Sequence, residues 1–308
     1  MPSANDIYPR LRERLLLDWD DPLLRGPLFV TENGAARKKL TELANSRSEA
    51  GLVWSVFRTF ARLPAHAWAR RLLSCCPSAP SEAITAVSMD FWTQARPPRS
   101  RLLWLLDHVD ALSAHVPDHS ALARRLQRVR ADIDRWKEIV ASHSQAVGGD
   151  GVLESPVELD VVLETPGVKV VIKAVYAKDI QTSTEADPAR DELARCLDAL
   201  LDCVTPRQEP YFLFVSDDYA HEGLYTSAMA YESLMPRYRD EPAFLAARLP
   251  HRSEGELAQL RGHIGWTTWA DITDNILDGF GEYNNEQRAL LRKLVDYLKP
   301  KKLLHKGG

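Results

Sequence analysis

Two charged residues stand inside runs that otherwise read as buried strands: Asp160 in VELDVVLE and Lys173 in VIKAVYAKDI. A carboxylate and an ammonium aimed at one place can hold a hard cation and orient a water for hydrolysis, or they can pair with each other. By alternation Glu158 shares the side of Asp160, while Lys169, Val171, Lys173 and Val175 share one side of the following run. Leu159, Val161, Val170, Ile172 and Ala174 fall on the other sides, the pattern of a half-buried hairpin with a polar cleft.

The elements that position these residues follow from periodicity. From about Ala44 to Gln145 the pattern is helical: SRSEAGLVWSVFRTFARL places Ala50, Val53, Trp54, Phe57, Phe60 and Ala61 at three-and-four spacing, with Ser46 or Ser48 as N-cap. PPRSRLLWLLDHVDALSAHV and SALARRLQRVRADIDRWKEIVASHS predict two further amphipathic helices. After AVGGDG the period changes to two, and VELDVVLE, a TPG turn and VKVVIKAVY predict a hairpin. DPARDELARCLDALLDC predicts a helix capped by Asp187 with Pro188 at its first position, and PYFLFVSDD a buried strand. TTWADITDNILDGF and NNEQRALLRKLVDYLK predict helices capped at Thr267 or Thr268 and at Asn284 or Asn285. The chain thus divides into a mostly helical region over 1–148, whose helix around 46–62 joins the core, and an α/β region over 149–308. No internal repeat is visible.

Composition bounds the function. The 308 residues are 45% hydrophobic and 27% charged, enough for a sizeable core in one or two domains. A net charge of −4 gives no global attraction to polyanions, so any nucleic-acid site is a local patch. Cys75, Cys76, Cys196 and Cys203 lack paired metal spacing and read as reduced, buried thiols. The first residues lack a basic start leading into an apolar stretch, and no run of about 18 apolar residues occurs, so neither a signal peptide nor a membrane span is expected and the cytoplasm is the expected compartment. No GxSxG, P-loop or GxGxxG is present, against serine hydrolases, P-loop NTPases and Rossmann dehydrogenases.

ELDVVLETPGVKVVIKAVYAKDI, followed by DPARDEL and YFLFVSDD, resembles the core of the PD-(D/E)xK nuclease superfamily, in its restriction-endonuclease-like branch. The resemblance covers residues 150–220 best and reaches back to SEAGLVW. It implies a mixed α/β sheet flanked by helices, with an additional helical N-terminal region or insertion. It also implies Mg²⁺ or Mn²⁺ bound by carboxylates, and a lysine that orients the attacking water. Asp160 matches the metal-binding aspartate with Glu158 beside it, Glu49 the helix glutamate, and Lys173 the lysine that closes the motif. The acid expected two residues earlier is Val171, whose isopropyl group offers a cation no ligand. Three readings stand side by side. In one, the fold persists and Lys173 pairs with Asp160 or Glu158 where a cation would have been. In another, Asp160, Glu158 and Glu49 hold Mg²⁺ while Lys173 orients water. In the third, Lys173 snorkels from a sheet edge.

The resemblance further implies action on DNA in preference to RNA, in a setting such as defence against foreign DNA, with a partner protein or a second copy as further partners. Arg190 on the DPARDEL helix, Lys178, and Arg125 within ARRLQRVR are the candidate phosphate contacts, and PKKLLHK supplies Lys301, Lys302 and Lys306. A non-catalytic binding or scaffold protein on the same fold is the alternative class. His108, His115 and His119 read as a surface loop because Pro117 breaks their helical spacing, and Trp266 and Trp269 read as core aromatics that could otherwise stack on bases.

Overall fold

The computed structural model describes residues 48–117, 120–142, 153–217 and 228–305, together with residues 11, 39 and 41–45. His119, Lys306, Ser46 and the AVGGDG segment up to Gly151 lie outside the described residues. Five strands, β1 (Ser88–Ala95), β2 (Val157–Glu164), β3 (Val168–Ala174), β4 (Glu209–Ser216) and β5 (Ile264–Thr268), form one sheet in sequence order. β1 with β2 and β2 with β3 pair antiparallel, whereas β3 with β4 and β4 with β5 pair in parallel, so the sheet is mixed. The helices are α1 (Glu49–Ala61), α2 (Ala65–Leu72), α3 (Arg99–Asp107), α4 (Val109–Ser113), α5 (Ala121–Ala131), α6 (Ile133–Ser142), α7 (Glu192–Cys203), α8 (Ala230–Asp240), α9 (Pro242–Arg248), α10 (Glu254–Ala258), α11 (Trp269–Leu277) and α12 (Asn285–Leu298).

Local chemistry fixes the key connections. Thr165 closes the β2–β3 turn by accepting the Val168 N–H on its hydroxyl at 2.8 Å while its own N–H bonds the Val168 carbonyl at 2.9 Å. Parallel pairing of β3 with β4 needs a crossover, and α7 supplies it. Its N-cap is Asp191, which accepts the Ala194 N–H at 2.8 Å; the expected cap, Asp187, instead bonds the Ala189 N–H and an arginine of α3. Ser48, Thr268 and Asn284 cap α1, α11 and α12 as their sequences predict.

Apolar residues cover both faces of the sheet. Val161, Leu163, Val170, Ile172, Tyr211 and Leu213 pack with α1, α2, α11 and α12, while Leu159, Val162, Val171, Phe212 and Phe214 pack with α7 to α10. The hairpin is therefore not half-buried with one polar side, and Val171 is fully buried beneath α7. α3 to α6 form a separate cluster around Leu105, Leu112, Leu126 and Val129, inserted between β1 and β2 and meeting Leu153 and Ala186.

Two strands appear where the sequence pattern reads otherwise. β1 lies in the region that periodicity assigns to helices, so the sheet crosses the expected 148/149 boundary. As an edge strand it is exposed or half-buried throughout, and Trp92, with φ of 52°, interrupts its alternation, which hides the period of two. β5 is only five residues long and runs straight into α11, so Trp266 is a half-buried strand residue and only Trp269 begins the helix. All four cysteines are free, and Cys203 is exposed, unlike the buried thiol its sequence suggests.

Candidate functional site

The ladder between β2 and β3 pairs Val161 with Ile172 and Val162 with Val171. One step further along the same register, Asp160 stands opposite Lys173. Lys173 Nζ lies 3.0 Å from Asp160 Oδ2 and 3.0 Å from Glu192 Oε1. Asp160 Oδ2 also accepts the Ala174 N–H at 2.9 Å, a backbone donor left for it at the end of the ladder. Asp160 and Lys173 are 3% and 4% exposed, so this is a buried ion pair in a site of low dielectric, where an unmatched charge is costly.

Two helices from opposite faces of the sheet bring their first-turn acids to this point. Glu192 opens α7, where a negative charge is favoured by the helix dipole, and its other oxygen accepts the Gln181 N–H at 3.1 Å. Glu49 opens α1; it accepts the Tyr176 N–H at 3.2 Å and pairs with Lys178 Nζ at 3.0 Å. Between Tyr176 and Lys178 the chain turns through Ala177 with φ of 55°, and that turn lets both neighbours reach Glu49.

Three carboxyl groups thus face two ammoniums, and the titration behaviour follows from that balance. Burial opposes charge on Lys173, but Asp160, Glu192 and Glu49 outweigh it and hold its pKa well above the usual lysine range. Burial likewise works against the Glu192 carboxylate, and Lys173 reverses the effect so that its pKa falls. Glu49 goes the other way: burial and then the charge of Asp160 push it up to about 7, despite Lys173 and Lys178. The arrangement therefore keeps Lys173 cationic, which removes it as a base or nucleophile near neutrality, and leaves Glu49 as the group that can exchange a proton.

The remaining candidates are dispersed. Glu158 does not join the cluster: Lys39 lies 2.5 Å from one oxygen and Gln94 donates to the other at 2.9 Å. The change of side occurs at Asp160, since Val157 and Leu159 pack with the α7 core whereas Val161 and Leu163 pack with the opposite one. Arg190 is 1% exposed, held by Glu154 at 3.2 Å and Asp198 at 2.5 Å, so its guanidinium serves an internal network and not a phosphate at the surface. Arg125 lines a groove along α5 with Arg124 and Arg128. Lys178 is 55% exposed beside the site, and Lys301 lies over the rings of Tyr176 and Tyr297 at 5.9 and 5.0 Å, which brings the C-terminal basic segment to the same rim. His108 stacks on Trp104 and His115 is exposed, each in its own surface setting.

Mg²⁺ or Mn²⁺ would need Asp160 and neighbouring carboxylates as ligands, and the donor set as it stands does not fit one. The position between Asp160 and Glu192 carries the Lys173 ammonium, and Glu158 is turned to other partners. Among the described residues no group of three or more His, Cys, Asp or Glu is spaced to hold a metal ion. Glu192 is the site residue that motif reasoning misses; its signal is an acid at the opening of the helix that follows the hairpin. No protein-family model, no curated protein and no solved structure matches the chain.

Proposed function

We propose that this protein is a PD-(D/E)xK-like member of the nuclease superfamily that engages DNA without cutting it, its cleavage site replaced by an internal ion pair. The element order supports the reading: a helix bearing Glu49, then a hairpin with Asp160 on its first strand and Lys173 on its second, in a mixed sheet flanked by helices, are the parts the resemblance implies. The observation that carries the non-cleaving part is the Lys173 ammonium lodged 3.0 Å from both Asp160 and Glu192. Lys178 and Lys301 at the rim and the arginines of α5 are the groups offered to a phosphate backbone, in a role such as recognition of foreign DNA.

Fluorescence anisotropy with duplex DNA, paired with a cleavage assay in Mg²⁺ or Mn²⁺, tests it. Binding is expected to weaken steeply between about 50 and 200 mM salt through counterion release, and to weaken further in Lys178→Glu and Arg125→Glu, with the DNA left intact. Metal-dependent cleavage that disappears in Asp160→Asn would establish an active nuclease instead. Absence of DNA binding at low salt would leave a protein partner as the ligand.

A further inference from the structure

We propose that Lys173 occupies the place of both a metal ligand and the metal itself, so that its ammonium is a built-in substitute for a divalent cation and the chain carries a latent cation site one substitution away. Read by order alone, the resemblance makes Lys173 the closing lysine and Val171 the lost acid. The register points elsewhere. Val171 pairs with Val162 and is sealed under α7, two residues along the strand from the level of Asp160. The residue at the level of Asp160 is Lys173, and two positions later comes Val175, fully buried and bonded through its N–H to the Val215 carbonyl at 2.8 Å. The sequence acid-x-lysine is thus represented by Lys173-Ala174-Val175, with a cation in place of the acid and an isopropyl group in place of the lysine.

Side-chain lengths make the exchange geometrically direct. A glutamate carboxylate oxygen is one bond closer to its Cα than a lysine Nζ, so Glu at position 173 would stop short of the present ammonium position and leave it for an ion. That position already has an oxygen of Asp160 and one of Glu192 at 3.0 Å, and a hard dication would draw them in to about 2.0 to 2.6 Å. Glu49 stands close enough to act electrostatically on Lys173 and adds a further negative charge beside the same point. The inference rests on the proposed reading for the expectation of a cation at this level of the hairpin, and is tested without DNA or cleavage.

Mn²⁺ binding, followed by electron paramagnetic resonance and by thermal unfolding at rising Mn²⁺ concentration, distinguishes the outcomes. The unaltered protein is expected to take up no Mn²⁺ at this site and to show no metal-dependent Tm. Lys173→Glu is expected to bind one Mn²⁺ per chain with a Tm that climbs with metal concentration, an effect lost in Lys173→Glu/Asp160→Asn and weakened in Lys173→Glu/Glu192→Gln. If Lys173→Glu unfolds without metal, refolding on addition of Mn²⁺ supports the proposal as well, and a chain unfolded with and without Mn²⁺ overturns it. Lys173→Gln, which adds no carboxylate, should bind Mn²⁺ more weakly than Lys173→Glu. Binding of Mn²⁺ by the unaltered protein that is lost in Asp160→Asn, or a folded Lys173→Glu that binds none, also overturns it. DNA binding by the unaltered protein is unaffected by either result, so failure of the metal inference and failure of the DNA reading are told apart.

Discussion

Lys173 and Asp160 face each other across two antiparallel strands, their charged atoms 3.0 Å apart and both side chains withdrawn from solvent. Glu192 completes the contact from the first turn of α7, so one ammonium ties a hairpin to the helix that leads away from it. A buried cation that serves two carboxylates is retained only if both stay in place, because each lost partner leaves an uncompensated charge.

Replacing Lys173 by Met should therefore destabilise the protein by about 3–5 kcal/mol, since buried Asp160 and half-buried Glu192 would both lose their cation and keep only backbone N–H partners. Lys173→Met/Asp160→Asn should recover part of that loss: the amide oxygen can still accept the Ala174 N–H, and one of the stranded charges is gone. Urea unfolding of the two single variants and the double variant measures this coupling. Losses that simply add would mean that the pair contributes nothing of its own.

Gly265→Ala should be destabilising although it adds a single methyl group. A Cβ at this position in β5 would come within 2.6 Å of Cys75 Sγ, 2.7 Å of Cys76 Sγ and 3.3 Å of the Cys76 backbone nitrogen. Both sulfurs are anchored on the short turn that packs against β5, so relief requires that turn to move. Overpacking of this kind costs about 1–3 kcal/mol. Thermal unfolding reads it out, with Gly255→Ala, which would meet nothing within 4 Å, as control.

Much of this architecture is legible in the sequence where short-range chemistry decides. The TPG turn, the alternation on either side of it and the caps at Ser48, Thr268 and Asn284 each follow from interactions within a few residues. Asp160 and Lys173 are marked out as polar interruptions in apolar runs, and the structure brings them together. What alternation cannot supply is burial on both faces: Val171 belongs to a core formed by helices that arrive much later in the chain. Nor does it foresee Trp92 in the left-handed region, which hides β1, or the change of side at Asp160 that parts it from Glu158. Arg190 illustrates a further limit. Its position at the opening of the helix that, by the resemblance, flanks the site suggests a phosphate contact, while Glu154, 36 residues earlier, and Asp198, two turns further along, draw it inside.

Arg101→Met should loosen the attachment of the α3–α6 insertion. Arg101 is fully buried and joins Glu154 at 2.9 Å to Asp187 at 2.8 Å, while Arg190 carries the network on from Glu154 to Asp198. Its removal leaves Asp187 with backbone N–H partners only and Glu154 with Arg190 as its remaining close cation, an expected loss of about 3 kcal/mol. Arg99→Ala, an exposed change two residues away, should stay within about 0.5 kcal/mol. Urea unfolding compares the two, and hydrogen exchange should show α3 to α6 opening before the sheet in Arg101→Met. Uniform exchange across both regions would contradict a role in fastening the insertion.

Glu49 gives the site a pH dependence of defined sign. Its carboxyl ionises at 4.5 ordinarily and at about 7 in the folded protein, raised first by burial and then by Asp160, with Lys173 and Lys178 acting in the opposite sense. Between those two values the folded chain binds more protons at Glu49 than the unfolded chain does, so this group makes stability fall as pH rises from about 4.5 to about 7, after which its effect levels off. The rise corresponds to roughly 3 kcal/mol over that window. Glu49→Gln has no proton to lose there, and its amide oxygen can still accept the Tyr176 N–H. Relative to the unaltered protein, the variant should gain stability steadily from pH 4.5 to pH 7, and the gain should remain constant at pH 8. Urea midpoints for both proteins across this range measure the difference, and parallel curves would show that Glu49 ionises in the folded chain as it does in the unfolded one.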